Sequence, residues 1–304
     1  MTDPANRKTA TRLLIISLVI LLPLLFYPWD NRYFPRSLKA FWDLGHIRLF
    51  AVIVLTVLYY RQRLGKLHFV NRFILAAGFA LLAGGTIEII QFYLGRDASF
   101  YDLSLDVLGA VLAVSWYPKL DFYRYPASAV FRWFCTIIVM VCLIPTARYL
   151  YDEYSARQDF PVLADFSTSL QATRFGNNPG LELSDNSLRV YFTTEQYSGF
   201  GLRYFPRNWS GYREVVLEIY NPGEDAIELT CRIHDLSHNE AYNDRYNRQF
   251  HVPTGHQEIR IDLTEVENAP KTRRMNMDRI GALGCFTTNL STPAVLIIQS
   301  IFLR

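Results

Sequence analysis

Apolar residues form long unbroken stretches in the first half of the chain and short alternating ones in the second. The stretches 12–28, 44–60, 71–94, 103–118 and 130–148 approach the roughly 20 apolar residues that a helix needs to cross a bilayer. They predict about five transmembrane helices, of which the first and fourth are short. After Tyr151 the period falls to two. Segments 188–192, 214–220, 227–233, 258–263 and 295–301 alternate apolar and polar positions, as half-buried strands do. Asn221-Pro222-Gly223 and Thr254-Gly255 mark turns between them. The expected architecture is a membrane all-α helical bundle over 1–150, then an all-β, jelly-roll-like sandwich over 151–304. Single helical turns are expected at 264–270 and 276–280.

Charge orients the helices. Arg7, Lys8 and Arg12 precede the first stretch, which lacks a small-residue cleavage site and ends in Phe26-Tyr27-Pro28-Trp29. It is expected to stay as an uncleaved span. Arg61, Arg63, Lys66 and Arg72 follow the second span, and Lys119, Arg124 and Arg132 follow the fourth. Asp30 and Asp43 dilute the basic residues of segment 29–43 on the other side. Because cytoplasmic loops are enriched in Lys and Arg, five crossings place the second half outside the cytoplasm. The expected location is the inner or cytoplasmic membrane, with a multi-pass bundle and an extracytoplasmic C-terminal domain. A net charge of +3 without a basic stripe argues against nucleic acid.

Ionisable groups inside spans are costly and mark functional candidates. His46 opens the second span, Glu88 and Gln91 close the third, Arg96 lies in the following loop, and Asp102 and Asp106 open the fourth. Spacings of three and four put each pair on one helical face, so these groups are expected to converge in an outer-side polar pocket. Two readings stay open: a site that binds a ligand or moves protons, and a buried network that fixes helix packing. An enzyme reading uses His46 with Glu88 or Asp102 as acid and base on a lipid-linked envelope substrate. No nucleophile motif or metal set accompanies them, so no catalytic residue, cofactor or metal is assigned.

The ordered string His46-x3-Phe50, Glu88-x2-Gln91, Arg96, Ser99, Asp102 and Gly109 resembles VanZ-like membrane proteins over about residues 10–120. Asp106 stands where that pattern has Asn. The resemblance implies a place in the cell envelope and a link to glycopeptide-antibiotic response, but no reaction.

In the second half, Trp209-x-Gly211-Tyr212 precedes a strand. Asn221-Pro222-Gly223 and a second strand follow, and then Asp235-x2-His238-Asn239-x2-Tyr242-x-Asp244-Arg245-Tyr246. This order resembles galactose-binding-like carbohydrate-binding modules over about residues 165–304. It implies a glycan site, in which Tyr197, Trp209, Tyr242 and Tyr246 offer rings to pyranose faces. Asp235, His238, Asp244 and Arg245 would hold hydroxyls. The bland alternative makes Trp209 a core anchor and Asp244–Arg245 an ion pair that pins a long loop. Asp235 and Asp244 fall short of the dense carboxylate loop that calcium favours. His234, His238, His251 and His256 lack zinc-ligand spacing. Cys231 and Cys285 are either a disulfide or two small buried side chains. Expected partners are the lipid bilayer and an envelope glycan or lipid-linked saccharide, bound without catalysis.

Overall fold

A computed structural model describes residues 34–94, 99–117, 126–176 and 180–304, and places residues 12, 15, 16, 19 and 20 in helix. The rest of the first predicted span lies outside the described residues. The chain divides into two compact units, Met1–Arg32 with Ser37–Ala147 and Tyr33–Arg36 with Arg148–Arg304.

In the first unit, α1 (Arg36–Asp43), of which Ser37 onward belongs to it, leads into α2 (Gly45–Tyr60). Then come α3 (Phe69–Tyr93), α4 (Phe100–Trp116) and α5 (Pro126–Cys142). The segments Arg36–Tyr60, Phe69–Tyr93 and Ala129–Gln158 are long and apolar enough to cross a membrane. Helix α4, over the predicted fourth span, has 17 residues. Ser99 starts it by accepting the Asp102 N–H at 3.3 Å, which satisfies one of the orphan donors of a helix N-terminus. Leu49, Phe50, Val54, Ala80, Ala110 and Val114 fill the helical core. Gly109 is a packing requirement, because a methyl group there would run into the Ile47 backbone. Small residues let helix backbones approach closely. Ile74, Leu75, Leu82 and Ile89 on α3, and Val130, Phe134, Ile137 and Val141 on α5, remain exposed.

The second unit begins with helix α6 (Ile144–Gln158), of which Arg148 onward belongs to it. One sheet runs β2 (Leu181–Ser184), β3 (Ser187–Phe192), β10 (Ala294–Leu303), β5 (Glu214–Asn221), β8 (Gly255–Asp262), with β1 (Val162–Ala164) also pairing β10. The other runs β4 (Ser198–Leu202), β9 (Ile280–Thr287), β6 (Ile227–Asp235), β7 (Tyr246–Val252). All pairings are antiparallel. The core between the sheets holds Leu188, Val190, Leu217, Ile219, Leu229, Ile233, Leu283, Leu296 and Ile298, each contributing about 1.5–3 kcal/mol on burial. Cys231 and Cys285 face each other in register on β6 and β9 and form a disulfide with Cα atoms 4.1 Å apart. The five strands expected from alternation are β3, β5, β6, β8 and β10. Helix α7 (Leu263–Asn268) and the 3-10 turn Met277–Arg279 fall at the two expected helical turns.

Helix α6 is tied to the sandwich by charge. Asp152 binds the Arg174 guanidinium at 2.9 Å and also the Arg36 guanidinium. Arg174 also donates to the Leu163 carbonyl at 2.7 Å. Arg36 donates to the Thr173 hydroxyl and lies 4.6 Å over the Tyr204 ring. The three charged groups are buried, at 7, 2 and 1 % exposure for Arg36, Asp152 and Arg174.

Candidate functional sites

In the helical unit three helix ends supply the polar groups. His46 lies in the first turn of α2, Glu88 and Gln91 in the last two turns of α3, and Asp102 and Asp106 in the first two turns of α4. His46 Nδ1 is 2.9 Å from Asp106 Oδ1, so the ring donates its Nδ1–H to that carboxylate. Its Nε2 points the other way, 3.9 Å from Asp102 Oδ2. Donor atoms of His46, Glu88 and Asp102 all lie within 4.8 Å of one another. Glu88 Oε2 accepts the Ser99 N–H at 2.6 Å. Gly84, one turn before Glu88, leaves the space that the Asp106 carboxylate fills. His46, Glu88, Gln91 and Asp106 are buried, and Asp102 is 17 % exposed. Arg96, expected in the same cluster, lies outside the described residues.

In the sandwich the 235–246 segment is chiefly an internal network. Arg273 binds Asp235 at 2.5 and 2.8 Å and Asp244 at 2.6 and 2.9 Å. Asp235 also accepts the N–H groups of Asn276 and Ser237. Asp244 accepts that of Asn239, and His238 Nδ1 is 3.3 Å from its Oδ2. Bonds from Arg273 hold the Asp244 carboxyl far below the usual range. Burial pushes Asp235 up, but the bonds from Arg273 and Asn276 outweigh it and leave its carboxyl low. These readings correct the sequence analysis. Asp235, Asp244 and Tyr246 are interior groups, as is the His238 side chain, 2 % exposed with its Nδ1 against Asp244, and Trp209 is 0 % exposed, with no face left to stack on a sugar. The loop is pinned by ion pairs, but through Arg273, 29 residues from Asp244, rather than Arg245.

The remaining candidates rim the outer face of the four-stranded sheet. Tyr197 is exposed and packs edge-on to Phe286 at 5.8 Å. Tyr242 is exposed beneath the Arg245 guanidinium at 5.4 Å. Below that rim the His238 ring lies tilted against His234, with centroids 4.7 Å apart. Between the rim residues runs a rung of register partners, Gly201, Gly284, Arg232 and Asn247. Gly201 leaves open space on that face. Arg232 crosses Gly284 and lies 5.8 Å from the Phe286 ring. Its side chain reaches solvent, yet crowding by protein and then the guanidinium groups of Arg245 and Arg203 lower its pKa. Burial likewise lowers His234, despite its bond to the Asp235 carbonyl, and keeps the ring neutral at pH 7. Arg203, Arg232, Asn247 and Phe286 carry no motif. The one sequence signal for this face was glycine at alternate positions of β4 and in β9.

The β unit is thus an antiparallel two-sheet sandwich with an aromatic and basic outer face, and it follows a helical unit with membrane-length helices. No protein-family model matches the chain, and no curated protein matches it. The resemblance to VanZ-like proteins therefore rests on its motif residues alone. Among solved structures, similarity extends to a family 11 carbohydrate-binding module from Clostridium thermocellum in complex with a β-1,3-1,4-mixed-linked tetrasaccharide. That match has 17 % identity and a TM-score of 0.37, covering 47 % of this chain and 93 % of the module. The agarase AgWH50C matches at 16 % identity and TM-score 0.38, over 47 % of this chain and 26 % of its own. PfGH50B matches at 18 % identity and TM-score 0.33, over 41 % of this chain. The chain spans 21 % of the length of PfGH50B.

Proposed function

We propose that the chain is a membrane-anchored, glycan-binding protein of the cell envelope, with its sandwich on the extracytoplasmic side. The observation that carries the binding reading is the outer face of the four-stranded sheet. Exposed Tyr197 and Tyr242 rings flank a glycine-floored rung crossed by Arg232. Rings stack on pyranose C–H faces, and the arginines and Asn247 bind hydroxyl or acidic groups. Three neighbouring guanidinium groups, Arg203, Arg232 and Arg245, favour a saccharide that carries negative charge. The membrane reading rests on the exposed apolar residues of α3 and α5, a larger apolar surface than soluble proteins leave open. The extracytoplasmic placement rests on Lys/Arg bias and on the Cys231–Cys285 bridge, since disulfides persist in oxidising compartments.

The test is calorimetric titration of the full chain in detergent with acidic and neutral envelope oligosaccharides. Acidic ligands are expected to bind more tightly. A hydrogen bond from a charged donor contributes about 1.5–3 kcal/mol, so Arg232→Ala should weaken binding about tenfold or more, and Tyr197→Ala should weaken it too. Binding that neither substitution alters, or no binding to any saccharide, would sink the proposal.

A further inference from the structure

The cluster in the helical unit is separate from the sandwich face and has the chemistry of a cation site. We infer that His46, Glu88 and Asp102 form a binding site for one divalent transition-metal ion, with Asp106 orienting the histidine.

Three features carry this beyond a group of acidic residues. First, an imidazole nitrogen and two carboxylates from three different helices bring donor atoms within 4.8 Å of one another. Second, the histidine is already oriented. Asp106 takes the Nδ1–H at 2.9 Å, which fixes the tautomer and turns the Nε2 lone pair toward Asp102, 3.9 Å away. A carboxylate behind a metal-bound histidine is a recurrent arrangement that raises the basicity of the ligand. Third, Glu88 is only 6 % exposed, and its Oε1 has no hydrogen-bond partner among the described residues while its Oε2 is taken by Ser99. A buried carboxylate oxygen left unpaired is costly, and a cation beside Glu88 answers that cost. The positions are imposed by packing: Gly84 admits the Asp106 carboxylate, and Gly109 sets the approach of α4 to Ile47, next to His46. One nitrogen with carboxylate oxygens suits ions of the Mn²⁺ to Zn²⁺ range better than Mg²⁺ or Ca²⁺, which take all-oxygen sets.

The test uses the full chain in lipid nanodiscs, stripped with chelator and dialysed against Mn²⁺, Zn²⁺ or Mg²⁺ in turn, with bound metal counted by elemental analysis. One equivalent of Mn²⁺ or Zn²⁺ is expected, and none of Mg²⁺ at the same concentration. His46→Ala and Glu88→Gln should lose it. Asp106→Asn should bind 10–100-fold more weakly, the usual effect of losing a carboxylate partner of a ligand. His251→Ala, an exposed histidine on β7, should bind as the parent does. Substoichiometric metal on the parent chain overturns the inference whatever the variants do. So does metal retained in His46→Ala or lost in His251→Ala. Co²⁺ absorption on the parent chain gives a second reading: its ligand-field bands should appear and then vanish on adding Zn²⁺.

Discussion

Arg273 illustrates how much a single side chain decides in the sandwich. It is 27 % exposed, while Asp235 and Asp244, the carboxylates it joins, are 0 and 5 % exposed. Removing one partner of a buried ion pair costs about 3–5 kcal/mol, and the partial exposure of the guanidinium puts Arg273→Met near the lower figure. Urea unfolding followed by circular dichroism should show that loss at pH 7. The pH dependence should also change sign. Both carboxyls sit below their unfolded values in the folded protein. Their contribution is therefore present above the unfolded value of about 3.9 and is lost as pH falls through the folded values. The parent chain should hold its stability from pH 7 to 5 and lose it below about 4. In Arg273→Met, burial without the cation raises Asp235, so stability should rise as pH falls from 7 to 5. This network was half-legible in the sequence. The 235–246 segment stood out as long and polar, but the partner that satisfies it lies 38 residues beyond Asp235, and no local spacing points there. The cluster in the helical unit was easier to read, because successive antiparallel helices bring its residues to matching ends. Its ligand character was not, because each donor comes from a different helix.

Elements were legible where a face alternates cleanly. Strand β6 buries every second residue from Ile227 to Asp235, and its sequence says so. Strands β4 and β9 hide because glycines occupy positions where polar residues would mark the outer face. Strand β7, Tyr-Asn-Arg-Gln-Phe-His-Val, is too polar to read as a strand away from its pairing with β6. The boundary between the halves, expected at 150, is finer in the fold. Residues from Arg148 on, with Arg36, belong to the sandwich unit. Asp152→Ala should therefore destabilise the sandwich by about 3–5 kcal/mol, since it leaves Arg36 and Arg174 buried without their carboxylate. A fragment of 148–304 should unfold cooperatively in urea, and one of 160–304 should do so at lower denaturant. Equal midpoints for the two fragments would show that α6 adds nothing. On the helical side, Gly109→Ala should lower the thermal midpoint in detergent, because the added methyl meets the backbone of Ile47 rather than a yielding side chain.

For the molecule as a whole, the orientation proposed above has a direct readout. Protease added to sealed right-side-out vesicles should remove the sandwich and spare the 61–69 loop. Thiol labelling of the released fragment should require prior reduction, because Cys231 and Cys285 are bonded. A protected sandwich would reverse the orientation. The bond between Arg36 and Asp152 bears on the same question by simple parity. Under the membrane reading proposed above, two residues that touch lie on one side of the bilayer, so the chain between them would cross it an even number of times. Among the described residues three helices are of membrane length, an odd count, and in that proposal α4 is the described helix that would restore it. At 17 residues and about 1.5 Å per residue, α4 is about 26 Å long, short of a hydrocarbon core of about 30 Å. As a crossing in that proposal, so short a helix is expected to draw the bilayer thinner around it or to snorkel its flanking residues, at the helix whose first turns carry Asp102 and Asp106.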